Sequence, residues 1–422
     1  MSTGAPGPTR GASFGLYVHL PYCRAICPYC AFATAPLRRA EPERLLAALD
    51  RETAGAREVA ERDADGGARE PAASWRRPRT LYVGGGTPTA LDPASLERIV
   101  AWLHASFDLS GVREWTVEAN PDRLDDATLR LLRAGGADRL SLGVQSMEPA
   151  VLKTLGRTHT AEAALDALDR ARAAGFRRLS VDLMVAVPGE TEVGIAAGAE
   201  ALLAQGVTHV SAYSLQVEPG TPFAAKVARG ALVPPGDDAA ADRYALLDGI
   251  LLAAGFRHYE VSNYARPGEE SRHNVGYWNR RPYLGLGPGA HSFDGRTRWA
   301  NEHDTRRYLE RVERDGNARS ETTEVGPRDA AEEEIFLALR RERGIRLSRL
   351  RALAGPAAEG WTRWGEAAGA LRFDPPGRVR PTPLGLLTAH DLAAELLARM
   401  GEAPSGESTP RQGFGAPAGG AP

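Results

Sequence analysis

The chain has 422 residues, enough for two or three domains, since single hydrophobic cores stop growing at about 250–300 residues. Its 52 basic and 54 acidic residues leave a net charge of −2, which argues against a general nucleic-acid or anionic-membrane surface. No stretch approaches the ~20 apolar residues that span a bilayer, and the opening "MSTGAPGPTRGASFG" lacks a signal-peptide core. A cytoplasmic protein is therefore expected, with at most transient membrane association.

Residues 1–13 and 402–422 are rich in Gly, Pro and Ser without apolar periodicity and read as disordered ends. The first strand, "GLYVHL" (15–20), leads into "YCRAICPYCAF" (22–32), which holds all three cysteines of the chain, Cys23, Cys27 and Cys30. A helix, "PERLLAALDRE", follows, then a polar stretch from Glu61 to Arg79 that reads as an exposed insertion despite Trp75. Five more β-branched runs are spaced along the chain: "TLYVGG" (80–85), "WTVEAN" (115–120), "RLSLGV" (139–144), "LSVDLMVAV" (179–187) and "HVSAYSL" (209–215). Amphipathic stretches such as "DPASLERIVAWLHASF", "DDATLRLLRAG", "AEAALDALDRARAAG" and "EVGIAAGAEALLAQG" separate them. Several close on Gly, as a helix C-terminus does.

This alternation predicts an α/β core over 14–240 with a parallel sheet, either open and doubly wound or curved into a partial barrel. In both, side chains at the C-terminal ends of the strands share one rim. The cysteines, "GGGTPT", "EANP", "GVQS", "VPGET" and "QVEPGTP" all fall there. Residues 241–325 read as an extension of this core. Residues 326–401 read as a small helical, winged-helix-like C-terminal domain, with helices in "RDAAEEEIFLALRRERGI" and "LTAHDLAAELLARM" and a hairpin in "LRFDPPGRVRPTPLG". Without a basic excess, no nucleic-acid partner is expected.

Three clustered cysteines cannot pair off, and disulfides are rare in a reducing compartment, so metal or redox chemistry is indicated. Structural zinc takes four protein ligands, and His19 is the fourth on offer. A 4Fe–4S cluster on three thiolates instead leaves one iron open to a small-molecule ligand.

The spacing C-x3-C-x2-C after the first strand resembles the signature of the radical S-adenosylmethionine (SAM) superfamily. "LYVHLPYC", "YVGGGTPT", "VEANP", "LSLGVQS", "GRTH" and "VDLMVAVPGET" are similar to its branch of oxygen-independent coproporphyrinogen III dehydrogenases and HemW-type haem chaperones. The resemblance implies a partial (β/α)6 barrel in which Cys23, Cys27 and Cys30 hold the cluster and SAM chelates the open iron. It further implies SAM contacts from Tyr17, Tyr29, Glu118, Gln145, Arg157 and Asp182. On the rim after the second strand, the backbone amides of Gly84, Gly85, Gly86 and Thr87 are expected to cradle the amino-acid end of SAM.

Within the branch, dehydrogenases are similar to C-x3-C-x2-C-x-C, whereas Phe32 stands here at the last position. "HNVGYW" (273–278) resembles the H-N-x-x-Y-W motif of the chaperones. Imidazole is a good haem-iron ligand, so His273 is the candidate axial contact, with Tyr277 and Trp278 offering flat apolar surface. Hydrogen bonds that merely fix a loop are the other reading of His273 and Asn274. His291, in "GLGPGAHSF", is a second ligand candidate. The expected activity is haem transfer to an acceptor protein, with a flavodoxin or ferredoxin as electron donor. The alternative is oxidative decarboxylation of coproporphyrinogen III in porphyrin biosynthesis.

Overall fold

The structure, a computed structural model, describes residues 14–65, 75–122, 124–374 and 377–401. The two expected disordered ends, 1–13 and 402–422, lie outside the described residues. Strands β1 (Phe14–Leu20), β2 (Pro78–Gly85), β3 (Trp115–Ala119), β4 (Arg139–Gln145), β5 (Arg178–Val185) and β6 (His209–Ser214) lie side by side in chain order, all parallel. Each is followed by a helix: α1 (Pro42–Asp65), α2 (Pro93–Ser106), α3 (Asp126–Gly135), α4 (Ala161–Ala173), α5 (Glu192–Ala204) and α6 (Asp237–Ala253). The sheet is open, as a partial (β/α)6 barrel requires.

Period-two alternation sorts the strand side chains between two environments. Leu16, Val18 and Leu20 of β1 enter the large core shared with the helices, while Tyr17 faces the inner side, clustered with Tyr82 and Ala290. The helices start where a side chain satisfies a free amide: Asp92 accepts from the Ser95 N–H, Asp125 from Thr128, Thr160 from Ala163 and Thr191 from Gly194.

Residues beyond α6 extend both sheet edges. Strand β7 (Arg257–Glu260) forms the edge and pairs antiparallel with β8 (Asn263–Ala265), which in turn pairs antiparallel with β6. Helix α7 (Arg272–Trp278) then crosses to the other edge, where β9 (Tyr283–Leu286) runs parallel to β1. Outside it lie β10 (His291–Phe293), β11 (Thr297–Asn301) and β12 (Arg319–Glu324), with α8 (Thr305–Asp315) between the last two. Helix α7 sits under the N-terminal ends of the barrel strands. Glu114, just before β3, accepts the backbone N–H of Arg272 and His273 at 2.9 Å each and ion-pairs with Arg178 of β5 at 2.9 Å. Burial would raise the Glu114 pKa, but the Arg139 and Arg178 charges and these two amides outweigh it and hold it low.

The stretch from Glu61 to Arg79, expected as an exposed insertion, is exposed at Glu61, Arg62, Arg76, Arg77 and Arg79 but anchored at both of its described ends. Helix α1 continues to Asp65, and Trp75 is buried edge-on to Phe14 and Trp299, with ring centroids 5.0 and 6.4 Å away. Residues 66–74 lie outside the described residues.

The C-terminal part has its own hydrophobic core, running from Ile335 to Leu396. It comprises α9 (Pro327–Leu339), β13 (Ile345–Arg346), α10 (Leu347–Ala354), α11 (Ala357–Ala367), β14 (Leu371–Asp374), β15 (Arg378–Pro381), α12 (Pro383–Leu387) and α13 (Ala389–Gly401). Helices ahead of a hairpin, with β13 completing a three-stranded sheet, give the winged-helix-like arrangement. Trp361 is fully buried at its centre, and its indole N–H donates to the Leu392 carbonyl at 3.0 Å. Trp361→Ala is expected to cost roughly 3–5 kcal/mol. Hydrogen exchange should show protection lost from α9 to α13 and retained in β1–β6.

Candidate functional site

The three cysteines follow β1 in a segment with little regular structure, and the end of β2 holds it in place. The Gly86 N–H donates to the Leu20 carbonyl at 2.8 Å, and the Thr87 N–H to the Tyr22 carbonyl at 3.0 Å. The loop closes on itself where the Cys30 N–H meets the Cys27 carbonyl at 3.1 Å.

Close approach explains why three glycines end this strand. A Cβ on Gly86 would lie 2.6 Å from the Pro21 carbonyl carbon, and one on Gly84 2.6 Å from the Glu118 carboxyl carbon. Gly85 has φ +107°, a left-handed conformation that disfavours any side chain, and a Cβ there would lie 2.4 Å from the His19 ring. The expected amide cradle is corrected here. The N–H groups of Gly85, Gly86 and Thr87 are all spent within the protein, on Glu118 (2.9 Å), Leu20 and Tyr22. The glycines bring the cysteine loop against the rim.

A chain of side chains then joins two of the cysteines across the strand ends. The Thr87 hydroxyl lies 3.7 Å from Cys23 Sγ and accepts from Asn120 Nδ2 at 2.9 Å. Asn120 Oδ1 accepts from Arg157 Nη2 at 2.5 Å, a nitrogen that also donates to the Gly143 carbonyl at 2.6 Å. Arg157 Nη1 lies 3.4 Å from Cys27 Sγ. Burial pushes the Cys23 thiol up to about 12, with the neighbouring Cys30 and Cys27 adding to the rise. Tyr29, raised by burial, packs beside Val151, Leu155, Met184 and Val187.

Glu118 and Asp182 are half-buried on the inner side of the rim. Tyr82 donates to Glu118 Oε1 at 2.7 Å, and Ser141 to Asp182 Oδ1 at 3.2 Å. Burial lifts Glu118 to about 7 and Asp182 to about 6, with the Asp182 charge adding to the rise at Glu118. Gln145 adopts φ +66°, and the β4–β5 register slips beside it. This bulge turns the side chain at the strand end, and its strain is of the kind stored at functional sites. Inside the barrel, Tyr17 donates to His19 Nδ1 at 2.9 Å, and His19 Nε2–H donates to the Ala33 carbonyl at 2.8 Å, just past the cysteine loop. His19 is thus committed to holding the loop.

The donor set fits a 4Fe–4S cluster. Three thiols stand on one loop, with a guanidinium beside one of them. Among the described residues no three His, Cys, Asp or Glu side chains converge to hold a single ion. A cube makes a different demand, because each thiolate takes its own iron.

The "HNVGYW" motif forms α7, at the end of the barrel opposite the cysteines. His273 is buried; its Nδ1 pairs with Thr80 Oγ1 at 2.9 Å and its Nε2 with the Tyr277 hydroxyl at 2.8 Å. Burial lowers its pKa to about 4. In this conformation neither nitrogen is free for iron, which departs from the expected axial contact and matches the loop-fixing reading. Tyr277 and Trp278 are half-buried, and His291 stands at the start of β10.

The description "Radical SAM superfamily" matches residues 17–200. "Heme chaperone HemW" of Mycobacterium tuberculosis is 39% identical over 357 residues, 83% of this chain and 88% of that one. The chain belongs to the HemW family of radical SAM proteins. The Bacillus subtilis "Heme chaperone HemW" is 34% identical over 350 residues, 82% of this chain and 88% of its own length. The solved coproporphyrinogen III oxidase (HemN) from Escherichia coli matches with a TM-score of 0.76 at 21% identity, covering 92% of this chain and 91% of that one. That likeness establishes the fold. Membership in the superfamily implies a 4Fe–4S cluster and SAM. Among the described residues no helix is long and apolar enough to cross a membrane.

Asn120, central to the link between Cys23 and Cys27, lies in the "EANP" segment expected on the rim, but the sequence assigned it no role there. It lies two positions after Glu118, which was the available signal. Asn120→Ala is expected to weaken cluster retention roughly tenfold, as loss of residues behind metal ligands does. Iron per chain after anaerobic reconstitution measures this, with circular dichroism unchanged. In the cluster-free protein Glu118, raised to about 7, is protonated at pH 6 and ionised at pH 8.5. Difference infrared spectra should show a carboxylic C=O band at the lower pH only, missing from Glu118→Gln.

Proposed function

We propose that this chain is a haem chaperone that carries a SAM-ligated 4Fe–4S cluster, binds haem and passes it to an acceptor protein. The observation that carries this reading is the 39% identity to a "Heme chaperone HemW" across 88% of that protein. Cys23, Cys27 and Cys30 would hold the cluster. Tyr17, Tyr29, Glu118, Gln145, Arg157 and Asp182 would surround SAM. When bound and reduced, by a flavodoxin or ferredoxin, the cluster supplies an electron to the sulfonium.

What the chain's own residues contribute follows from their chemistry. Arg157 holds its guanidinium 3.4 Å from Cys27 Sγ and so fixes where that side chain stands on the loop. Glu118 and Asp182 are carboxylates at pH 8 and suit the ammonium or ribose hydroxyls of SAM. Tyr82 and the Gly85 N–H each hold one oxygen of Glu118, and Ser141 holds Oδ1 of Asp182, so both carboxylates are fixed in direction.

Decarboxylation of coproporphyrinogen III is the competing activity, and a shared fold at 21% identity does not favour it over haem transfer. Phe32, 49% exposed where the dehydrogenase pattern has a further cysteine, supports the chaperone. Reconstituted protein incubated anaerobically with SAM and coproporphyrinogen III should yield no protoporphyrinogen, while a haem titration should saturate at one equivalent per chain. Formation of protoporphyrinogen would overturn the assignment.

A further inference from the structure

We propose that three tyrosines inside the barrel, Tyr17, Tyr82 and Tyr277, form a relay that carries single electrons from the far end of the barrel to an oxidant at the cysteine rim. This activity goes beyond haem transfer and stands on the geometry of the barrel, whatever cargo the chain carries.

The rings form one continuous line. His19 lies 5.9 Å from Tyr17, Tyr17 6.0 Å from Tyr82, Tyr82 5.3 Å from His273 and His273 4.9 Å from Tyr277, centroid to centroid. The line starts beside the cysteine loop, where His19 holds the Ala33 carbonyl, and ends at a solvent-open recess that Tyr277 lines. Tyr17, His19, Tyr82 and His273 are each at most 3% exposed, so solvent does not interrupt it.

Every tyrosine of the line donates its hydroxyl proton to a base. Tyr17 meets His19 Nδ1 at 2.9 Å, Tyr82 meets Glu118 Oε1 at 2.7 Å, and Tyr277 meets His273 Nε2 at 2.8 Å. The last bond takes the tautomer whose Nδ1–H is donated to Thr80. A buried phenol ordinarily finds an acceptor, so a single bond of this kind carries no argument. Tyr308 makes one with Glu52, apart from the line. Three such pairs in ring-to-ring succession are what a relay needs. Burial raises all three phenols well above their ordinary value, so each enters as the neutral phenol. A phenol that loses an electron becomes a strong acid, and a new charge left in this interior is costly. Handing the proton to a base already within hydrogen-bond reach removes that cost at each station.

The oxidant is a one-electron one, such as the carbon radical left when a sulfonium accepts an electron and a C–S bond breaks. It takes an electron from Tyr82 and a proton by way of Glu118, and ends as a C–H group. Tyr277 then passes an electron across His273 to Tyr82, its own proton moving to His273 Nε2, while water at the rim returns a proton to Tyr82 through Glu118. A thiol in solution reduces Tyr277, is oxidised toward a disulfide, and the proton on His273 goes back. Tyr17 serves an oxidant nearer the cysteine loop in the same way, with His19 holding its proton. A stray radical is thus quenched before it attacks the loop.

Photo-oxidation of the full-length, cluster-free chain tests this. A ruthenium polypyridyl maleimide is attached to Cys23 of Cys27→Ala/Cys30→Ala, and a flash in the presence of an electron acceptor oxidises the metal. A biotin–phenol in solution couples to a tyrosyl radical that reaches the surface, and mass spectrometry locates the label. Label is expected on Tyr277. Tyr82→Phe should abolish it with circular dichroism unchanged, whereas Tyr308→Phe should leave it as it was. With all tyrosines in place, D2O should lower the yield of label, since each transfer also moves a proton. If no label forms on Tyr277, if Tyr82→Phe keeps it, or if D2O leaves the yield unchanged, the relay assignment is wrong.

Discussion

The contact on which the site depends is the backbone seam between the end of β2 and the residues around the cysteines. Gly86 and Thr87 each spend an N–H on carbonyls of Leu20 and Tyr22, and the seam forms only because Gly86 lacks a Cβ that would strike Pro21. A loop of this length cannot offset its own ordering entropy with the turn at Cys27–Cys30 alone. The rim supplies the rest. Thr87, Asn120 and Arg157, from three successive strand–helix units, reach Cys23 and Cys27 and fix two thiols relative to the sheet. His19 does the same for the far end of the loop through Ala33.

The barrel separates two chemistries by its length. The cysteines, Glu118, Gln145 and Asp182 belong to the C-terminal ends of the strands, whereas α7 closes the N-terminal ends through Glu114, Thr80 and Arg178. Between them the inner side is lined by polar and aromatic groups rather than filled with aliphatics. Tyr82 touches both ends: its hydroxyl donates to Glu118, and its ring lies 5.3 Å from His273. A shift of α7 therefore meets the rim carboxylate through a single side chain.

The sequence exposed the six parallel strands because each is a short β-branched run bounded by Gly or Pro and followed by an amphipathic helix. Their ends were less legible. The fifth run continues apolar to Val187, yet β5 stops at Val185, since Ala186 turns to φ +63° and gives its N–H to Glu190. The edge strands β7–β12 are short, and β12, "RSETTE", is exposed along most of its length, so no apolar alternation announces it. Trp75 was misread because its partners, Phe14 and Trp299, are distant in sequence. In the site, residue types were readable and directions were not. The glycine run marked the right place, but pattern cannot say that its amides face the cysteine loop and Glu118. Likewise "HNVGYW" gave no sign that His273 points inward to Thr80.

Fold and family carry different weight for the same reason. A backbone that superposes on coproporphyrinogen III oxidase across 92% of the chain fixes the strands and the rim, and both candidate activities can use that scaffold. What separates them must lie in the side chains at the two ends. At one end Phe32 and Ile26 stand 49% and 46% exposed beside the cysteines, so the loop presents apolar surface where a further thiol would have added a reactive group. At the other end α7 is pinned by Glu114 through two backbone amides and by Thr80 through His273.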